Sequence, residues 1–274
     1  MDPQELAALL APDPSAREAQ RAEIAFRCRL IDRWKVMAGE RVLELGCGQG
    51  DATIVLADRV GPAGAVLAVD AAGPGYGAPV TIGASMDRLR TSALGPRIDV
   101  RLGSEIEDVD GPFDRAVMVH GSWYVASYGR LLQVLRQALR MAPRLCLSDW
   151  DLVPSRADQF AHHAAISLQM QARGLGLLTD GNVRTPVTRE QVREAVVEAG
   201  WTPAAEEAIA TSQLPDGAWE VATALAVAPE AIAAASEGGR SARAVWLRTQ
   251  QEVLLQARRL GVASLDSWWM CARR

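Results

Sequence analysis

The sequence predicts an α/β fold with a doubly wound, largely parallel sheet. An apolar run typical of a buried strand is followed at once by three alternate glycines within residues 46–50. A second apolar run ends in an acidic residue, Asp70. From there to residue 148, short apolar runs alternate with amphipathic stretches of helical length. This alternation is typical of parallel strands that are joined by helices.

Two helices are predicted before the first strand, at 4–10 and 15–34. Ser15 and Glu18 have the spacing of a capping box at the start of the second helix. Apolar residues between positions 24 and 34 recur at helical spacing and form a stripe. Such a stripe is usually part of a core.

The glycine turn follows the first predicted strand, 41–45, and leads into a helix. Gly46, Gly48 and Gly50 stand where the backbone must turn sharply, and a Cβ there would collide with a ligand lying against the turn. Strand, glycine turn and helix together open a nucleotide-binding α/β domain. The dinucleotide version of this motif is absent, because Asp51 stands where its third glycine would be.

The segment from 71 to 84 is an unusually long loop, rich in glycine and proline, that directly follows the second strand. A loop of this length in a compact domain is often functional. The other elements of this half follow from apolar periodicity and turn residues. Strands are predicted at 65–70, 98–102, 115–119 and 144–148, and helices at 50–60, 84–93 and 128–141.

After Trp150 the rhythm changes, and longer helical stretches predominate. A helix predicted at 155–173 carries His162 and His163, which as neighbours point about 100° apart and do not form an i, i+4 metal pair. We expect surface or lid positions for both. The remaining predictions are a polar loop at 174–187, strands at 201–209 and 264–273, and helices at 188–199, 217–236 and 240–260.

Length and composition indicate one large domain without the positive charge that is typical of nucleic-acid-binding proteins. The chain has 274 residues, 49% of them hydrophobic, and a net charge of −4. Its N-terminus lacks the shape of a signal peptide, and no apolar stretch reaches transmembrane length, so we expect a soluble, cytoplasmic protein. The cysteines contain no C-x-x-C pair and predict reduced thiols, with no zinc site or other metal site. They are Cys28, Cys47, Cys146 and Cys271.

The pattern Glu-x-Gly-x-Gly-x-Gly at 44–50, with Asp70 after the second strand, closely resembles motif I and its partner acid in the class I S-adenosylmethionine (SAM) methyltransferases. The resemblance covers about residues 34–150 well and the rest in outline. It implies a seven-stranded Rossmann-like sheet whose last strand is antiparallel. It also implies a helical N-terminal cap at 1–34, a SAM-binding core at 35–153, and a segment, 154–274, with helical lid elements and strands 6 and 7 of the same domain. The helices at 217–260 would be an insertion between these two strands.

The same resemblance implies a set of cofactor-binding residues. Glu44 would lie near the methionine ammonium of SAM, the glycine turn would line its amino-acid part through the backbone, and Asp70 would take the ribose. The family often has an aspartate for the adenine after strand 3, where this chain has Ser104, so Ser104 or Glu105 would serve. The implied contacts are Glu44, Gly46, Cys47, Gly48, Gly50, Asp70, Ala71, Ser104, Glu105 and His120.

Candidate catalytic residues follow predicted strands 4 and 5, because parallel sheets bind ligands at the carboxyl ends of their strands. His120 is the candidate base, since an imidazole titrates near neutral pH; alternatively, it only hydrogen-bonds the backbone or SAM. Asp149 is a second candidate base, an orienter of His120, or a cap. Tyr124 completes the set of catalytic candidates.

Aromatic and acidic residues beside these candidates indicate a substrate site. Trp123, Tyr124 and Trp150 are able to form an aromatic wall for a cationic or planar substrate, or simply to pack, and Asp151 lies next to them. The sequence therefore predicts substrate-binding roles for these four residues.

Methyl transfer from SAM to a small-molecule metabolite is the function that these patterns favour. An alternative is an enzyme of the same fold that cyclises its substrate while SAM or S-adenosylhomocysteine (SAH) is held as a structural cofactor, and a third is a non-catalytic SAM-binding subunit. Nucleic-acid and membrane partners are not expected, since the Asn/Asp-Pro-Pro-Tyr motif and basic patches are absent. A homodimer or a partner protein stays open.

Overall fold

The computed structural model describes residues 1–10, 17–78, 80–179, 181–235 and 241–274, and these form a seven-stranded sheet with helices on both faces. The strands are β1 (Arg41–Leu45), β2 (Ala65–Asp70), β3 (Ile98–Leu102), β4 (Arg115–Val119), β5 (Arg144–Trp150), β6 (Thr202–Ile209) and β7 (Ser267–Arg273). The helices are α1 (Pro3–Leu10), α2 (Arg17–Trp34), α3 (Asp51–Val60), α4 (Ile82–Thr91), α5 (Tyr128–Met141), α6 (Phe160–Arg173), α7 (Arg189–Glu198), α8 (Asp216–Ala234) and α9 (Ala242–Leu260).

The strand order is β3-β2-β1-β4-β5-β7-β6, and β7 runs antiparallel to both of its neighbours. The predicted doubly wound sheet with an antiparallel last strand is therefore confirmed, as is the helical insertion, α8 and α9, between strands 6 and 7. After β1 the chain winds outward through β2 and β3, and it then returns to place β4 on the other side of β1. This reversal opens a crevice beyond the carboxyl ends of β1 and β4, where ligands bind in such sheets.

The predicted bounds hold for the first four strands and for α5, and they differ elsewhere. β5 continues two residues past the predicted end at 148, so Asp149 and Trp150 lie inside the strand and not after it. The cause is pairing with β7, which aligns Asp149 with Trp268. α6 begins at Phe160 and not at 155, because a separate 3-10 turn precedes it. Ser15, one half of the predicted capping box, lies outside the described residues.

Two apolar clusters build the molecule. The larger one surrounds the sheet and includes the predicted stripe of α2, with Ile24, Phe26 and Trp34 all buried. The second joins α6, α8 and α9 through residues such as Leu168, Val221 and Leu247. The helices α6, α8 and α9, called the lid below, therefore share a core of their own. Among the described helices, none combines the length and apolarity needed to cross a membrane.

A buried ion pair ties the end of α2 to the sheet. The Arg115 guanidinium on β4 donates to both carboxylate oxygens of Glu40 at 3.0 and 3.1 Å. It also donates at 2.9 Å to the carbonyl of Trp34, which lies at the end of α2 and has no partner within the helix. Both charged side chains are less than 7% exposed, so their mutual contacts compensate for the loss of hydration.

Replacing Arg115 by methionine should lower the free energy of unfolding by about 3 kcal/mol, because it leaves Glu40 and the α2 carbonyls buried without their main donor. Urea unfolding measures this. The matched control is Arg144→Met, which removes the second partner of Glu40. Its side chain is 41% exposed, and such a pair contributes less than about 1 kcal/mol. Equal losses in the two variants would contradict the interpretation.

Candidate active site

The glycine turn is docked onto the end of the neighbouring strand. The backbone N–H of Gly46 donates to the carbonyl of Val69 at 2.8 Å, and that of Gly48 donates to Asp70 Oδ2 at 2.8 Å. The other oxygen of Asp70 accepts from the backbone N–H of Ala72 at 2.8 Å. One carboxylate therefore joins the loop after β1 to the loop after β2, and each of its oxygens retains a lone pair for a ligand.

Two glycines of this turn differ in what a side chain would meet. Both have left-handed backbone, with φ of +50° at Gly48 and +90° at Gly50. A Cβ on Gly48 would meet no atom within 4 Å, so the backbone there faces open space. A Cβ on Gly50 would collide with Leu89 of α4 and contact Met86. Gly48 thus leaves room for a ligand, whereas Gly50 allows α3 and α4 to pack.

Glu44 carries a carboxyl group with one unsatisfied oxygen at the base of the turn. It is 1% exposed, and its Oε2 has no hydrogen-bond partner among the described residues. Burial raises the pKa of this carboxyl to about 8. A buried carboxylate without a partner is costly unless a cation or a donor completes it. The methionine ammonium that the resemblance implies has the charge and the donors that this atom lacks.

The residues predicted to contact adenine lie at the end of β3. The backbone N–H of Ser104 donates to the carbonyl of Asp70 at 3.1 Å, which keeps Ser104 close to the ribose-binding candidate. Glu105 is exposed, and its carboxylate pairs with Arg130 at 2.7 Å. Ala71 is exposed directly after β2. Backbone contact with Asp70 therefore places Ser104 beside the crevice, whereas the Glu105 carboxylate is already paired with Arg130. Of the two candidates, Ser104 is better placed for adenine.

His120 is held in a buried stack after β4. Its backbone is left-handed, with φ +50°, and its ring lies between Phe26 of α2 at 5.2 Å and Trp150 of β5 at 4.2 Å between centroids. Nε2 lies 2.8 Å from Ser267 Oγ. Burial lowers the pKa of His120 well below its ordinary value, so the imidazole is neutral at pH 7. This arrangement suits a fixed hydrogen-bonding group.

Asp149 holds the turn that carries the candidate aromatic residues. Its Oδ2 accepts from the backbone N–H of Ser122 at 2.8 Å and from the Ser122 hydroxyl at 2.5 Å. In the described part of the chain, its hydrogen bonds go to Ser122, Trp123 and Trp150 and not to His120. Burial raises the pKa of this carboxyl to about 6. Asp149 therefore positions the 3-10 turn at Ser122–Tyr124.

A pocket opens beside this turn, between the sheet and the lid. Trp123 is 3% exposed, and its indole N–H donates to the carbonyl of Val187 at 3.1 Å. Tyr124 is 44% exposed. Asp151 is not part of the lining, and its carboxylate accepts from the backbone N–H of Val153. The lining consists of Trp123, Tyr124, Trp150, His162, Asn182, Val183, Asp216 and Glu220.

Five of these lining residues were not among the candidates from the sequence: His162 of α6, Asn182 and Val183 of the segment between α6 and α7, and Asp216 and Glu220 of α8. No local signal marks them, since only the docking of the lid brings them to the strand ends. Of the two positions expected for His162, surface or lid, the structure excludes the surface, because the residue is 1% exposed. Its Nδ1 accepts from the backbone N–H of Leu265 at 3.0 Å, and burial lowers its pKa to about 4.

Loops complete the enclosure. The hydroxyl of Tyr76, in the long loop after β2, donates to Asn182 Oδ1 at 2.6 Å. The backbone N–H groups of Arg184 and Thr185 both donate to the carbonyl of Trp123 at 2.9 Å. The long loop and the segment around residue 182 thus meet above the site. Within the described ranges, no group of three or more His, Cys, Asp or Glu side chains has a metal-binding arrangement.

No protein-family model matches the chain. An uncharacterized 37.1 kDa protein in transposon TN4556 of Streptomyces fradiae is 26% identical over 181 residues, which cover 65% of this chain and 48% of that protein. The demethylmenaquinone methyltransferase of Lactobacillus johnsonii is 47% identical over 45 residues, which cover 16% of this chain and 18% of that protein. The chain thus spans less than half the length of these curated relatives.

Solved structures match the whole chain. A cyclopropane-fatty-acyl-phospholipid synthase-like protein from Lactobacillus casei is 30% identical with a TM-score of 0.85, and the match covers 99% of this chain and 98% of that one. The mycolic acid cyclopropane synthase CmaA1, crystallised with SAH and CTAB, is 15% identical with a TM-score of 0.56, over 98% and 94% of the chains. The cyclase SpnF is 17% identical with a TM-score of 0.54, over 92% and 80%. The last two likenesses concern the fold alone.

Proposed function

Because this chain belongs to the class I SAM-dependent methyltransferase superfamily, we propose that it binds SAM and transfers its methyl group to a small-molecule acceptor. The observation that carries the proposal is the unpartnered, buried oxygen of Glu44 at the base of a glycine turn whose backbone faces open space. A ligand with a cationic group next to a nucleoside satisfies both features.

The chain's own residues have distinct tasks in cofactor binding. Glu44 accepts from the ammonium of the ligand, and Gly48 leaves room for its amino-acid part. Asp70 accepts from the ribose hydroxyls while keeping its bonds to the Gly48 and Ala72 backbone. When bound, SAM supplies an activated methyl group on a sulfonium sulfur.

The candidate catalytic residues orient groups and exclude water. The neutral His120 ring, held by Ser267, presents a fixed polar edge inside an aromatic stack. Asp149 keeps the turn with Trp123 and Tyr124 against the sheet. The phenol of Tyr124 is protonated at pH 7, so Tyr124 is a hydrogen-bond donor there. In this proposal, positioning contributes more to catalysis than proton transfer by His120.

Calorimetric titration with SAM and with SAH, together with mass spectrometry of the protein as purified, tests the proposal. Micromolar or tighter binding of both, followed by consumption of SAM with an acceptor from a metabolite panel, is the expected result. Absence of binding would overturn it. Tight retention of SAH without any acceptor that consumes SAM would instead support the alternative of a cyclising enzyme, the class named for one structural neighbour.

His120→Asn should lower turnover about tenfold while SAM affinity changes less than about threefold, because the imidazole edge is lost but the backbone is not disturbed. Asparagine tolerates the left-handed conformation that position 120 requires. Initial rates with the acceptor identified above, and calorimetry with SAM, measure the two effects. Unchanged turnover would remove His120 from the catalytic set.

A further inference from the structure

The pocket beside the Ser122–Tyr124 turn is lined by both aromatic and acidic side chains. Trp123, Tyr124 and Trp150 supply the aromatic surface, while Asp216 and Glu220 supply two carboxylates, and the lining contains no Lys or Arg. Aromatic faces attract cations through the ring quadrupole, and carboxylates attract them through charge. The lining therefore selects for positive charge by two independent means.

Asp216 retains an unused hydrogen-bonding position. Its Oδ2 is buried and accepts from no amide, guanidinium or hydroxyl donor in the described part of the chain, and its nearest acidic neighbour is the carboxyl of Glu23. Glu220 does have such a donor, since Gln169 donates to its Oε2 at 2.6 Å. Burial raises the pKa of both carboxyls. Each is disposed to ionise more readily when a cation enters.

A further acid lies behind Asp216. Glu23 of α2 is 7% exposed, and its Oε1 has no hydrogen-bond partner among the described residues. The nearest cation is Arg27, whose guanidinium lies 3.3 Å from the Glu23 carboxylate. The charge of Arg27 acts on Glu23 and Asp216, whereas Glu220 interacts with Gln169 and with Asp216. His162, which also lines the pocket, is neutral at pH 7 and adds no positive charge.

We propose that this pocket binds the protonated nitrogen of a small amine through Asp216, Glu220 and the surrounding indole rings, and that this amine is the methyl acceptor. The role of the amine as methyl acceptor rests on the proposed function, whereas the binding of the amine in this pocket does not. In the reaction, the N–H proton passes to a carboxylate of the pocket, and the nitrogen lone pair forms the new N–C bond. The electron pair of the broken C–S bond remains on sulfur.

Other acceptor classes fit the lining less well. An anionic substrate would meet two carboxylates without a compensating Lys or Arg in the lining. A wholly apolar substrate would fill the aromatic part but would bury Asp216 Oδ2 without a partner. An amine cation satisfies the carboxylates and the rings together, which is how aromatic cages recognise ammonium groups.

Choline and its neutral carbon analogue, 3,3-dimethylbutan-1-ol, form the probe pair for this inference, because they differ in charge and hardly in shape. Binding is followed by tryptophan fluorescence, since two indoles line the pocket, and by calorimetry, both without SAM. Choline should bind at least about tenfold more tightly than the alcohol. Asp216→Asn and Glu220→Gln should each reduce this preference about fivefold or more.

The matched control is Glu230→Gln, an exposed position on the same helix, which should leave the preference unchanged. Equal binding of the two probes, or an unchanged preference in both pocket variants, would overturn the inference. If Asp216→Asn fails to fold, Glu220→Gln decides, because glutamine keeps the oxygen that accepts from Gln169.

Titration with SAM on the same samples separates the amine-pocket proposal from the proposed cofactor. Binding of SAM without choline overturns only the amine pocket, and binding of choline without SAM overturns only the proposed cofactor.

Discussion

Replacement of Asp70 by alanine is expected to weaken SAM binding about a hundredfold. The carboxylate has two tasks, since it anchors the Gly48 backbone N–H at 2.8 Å and has lone pairs for the ribose hydroxyls. A hydrogen bond to a charged group contributes about 1.5–3 kcal/mol, so losing two of them corresponds to about 3 kcal/mol or more. Calorimetric titration with SAM measures the change directly.

The control for this substitution is Asp99→Ala on β3, whose side chain is 67% exposed and makes only a surface ion pair. It should leave SAM affinity within about twofold of the unmodified protein. Thermal unfolding of both variants without ligand shows whether the loop after β1 has loosened. If Asp70→Ala binds SAM as the unmodified protein does, the assignment of this crevice to a nucleoside is wrong.

Replacement of Glu44 by glutamine is expected to stabilise the ligand-free protein at about pH 8 by on the order of 4 kcal/mol, and to weaken SAM binding at least about tenfold. The amide has nearly the shape of the carboxyl, but it does not ionise, so it avoids the unfavourable burial of a negative charge. It also has no charge with which to attract the ligand's ammonium. A gain in stability with a loss in binding is the signature of a side chain retained for a ligand.

The pH dependence of this effect has a definite sign. The folded-state pKa of Glu44 is raised from 4.5 to about 8, so between these values the folded protein holds a proton that the unfolded chain has released. Stability therefore falls as the pH rises through this window, by up to about 1.4 kcal/mol per pH unit for this group. Glu44→Gln removes this contribution. The difference in stability between the two proteins should be constant below about pH 4 and should grow steadily from about pH 4.5 towards about pH 8.

Urea unfolding at several pH values, with Glu207→Gln as an exposed control on β6, tests the second prediction. The control should follow the unmodified protein throughout. Parallel pH profiles for Glu44→Gln and the unmodified protein would show that this carboxyl does not titrate in the expected range. Equal SAM affinity would show that no cation is bound at Oε2.

The local parts of the fold follow directly from the sequence. Strands β1 to β4 begin and end at the predicted residues, because each is a short apolar run bounded by turn residues or by a charged end. The glycine turn and Asp70 are adjacent to their strands in the chain, and parallel strands bring such ends together at one edge. Their proximity is therefore predictable without any knowledge of distant packing.

Candidates that depend on distant partners behave differently. Asp149 was considered as an orienter of His120, but the structure pairs it with Ser122, and the partner of His120 is Ser267, which lies 147 residues further along the chain. Asp151, predicted for the substrate site, accepts from the backbone N–H of Val153 and is not among the residues that line the pocket. These outcomes depend on β7 pairing with β5, which extends β5 to Trp150 and decides the direction of each side chain.

The sequence by itself determined the sheet, the glycine turn and the acidic residue that follows β2, since each depends on residues close together in the chain. Only the tertiary structure decided what encloses the crevice. It places Phe26 of α2 against His120, and it places Asp216 and Glu220 of α8 opposite the aromatic turn. Periodicity shows which face of a helix is apolar but not where that helix docks, because docking depends on complementary packing between segments that are far apart in the chain.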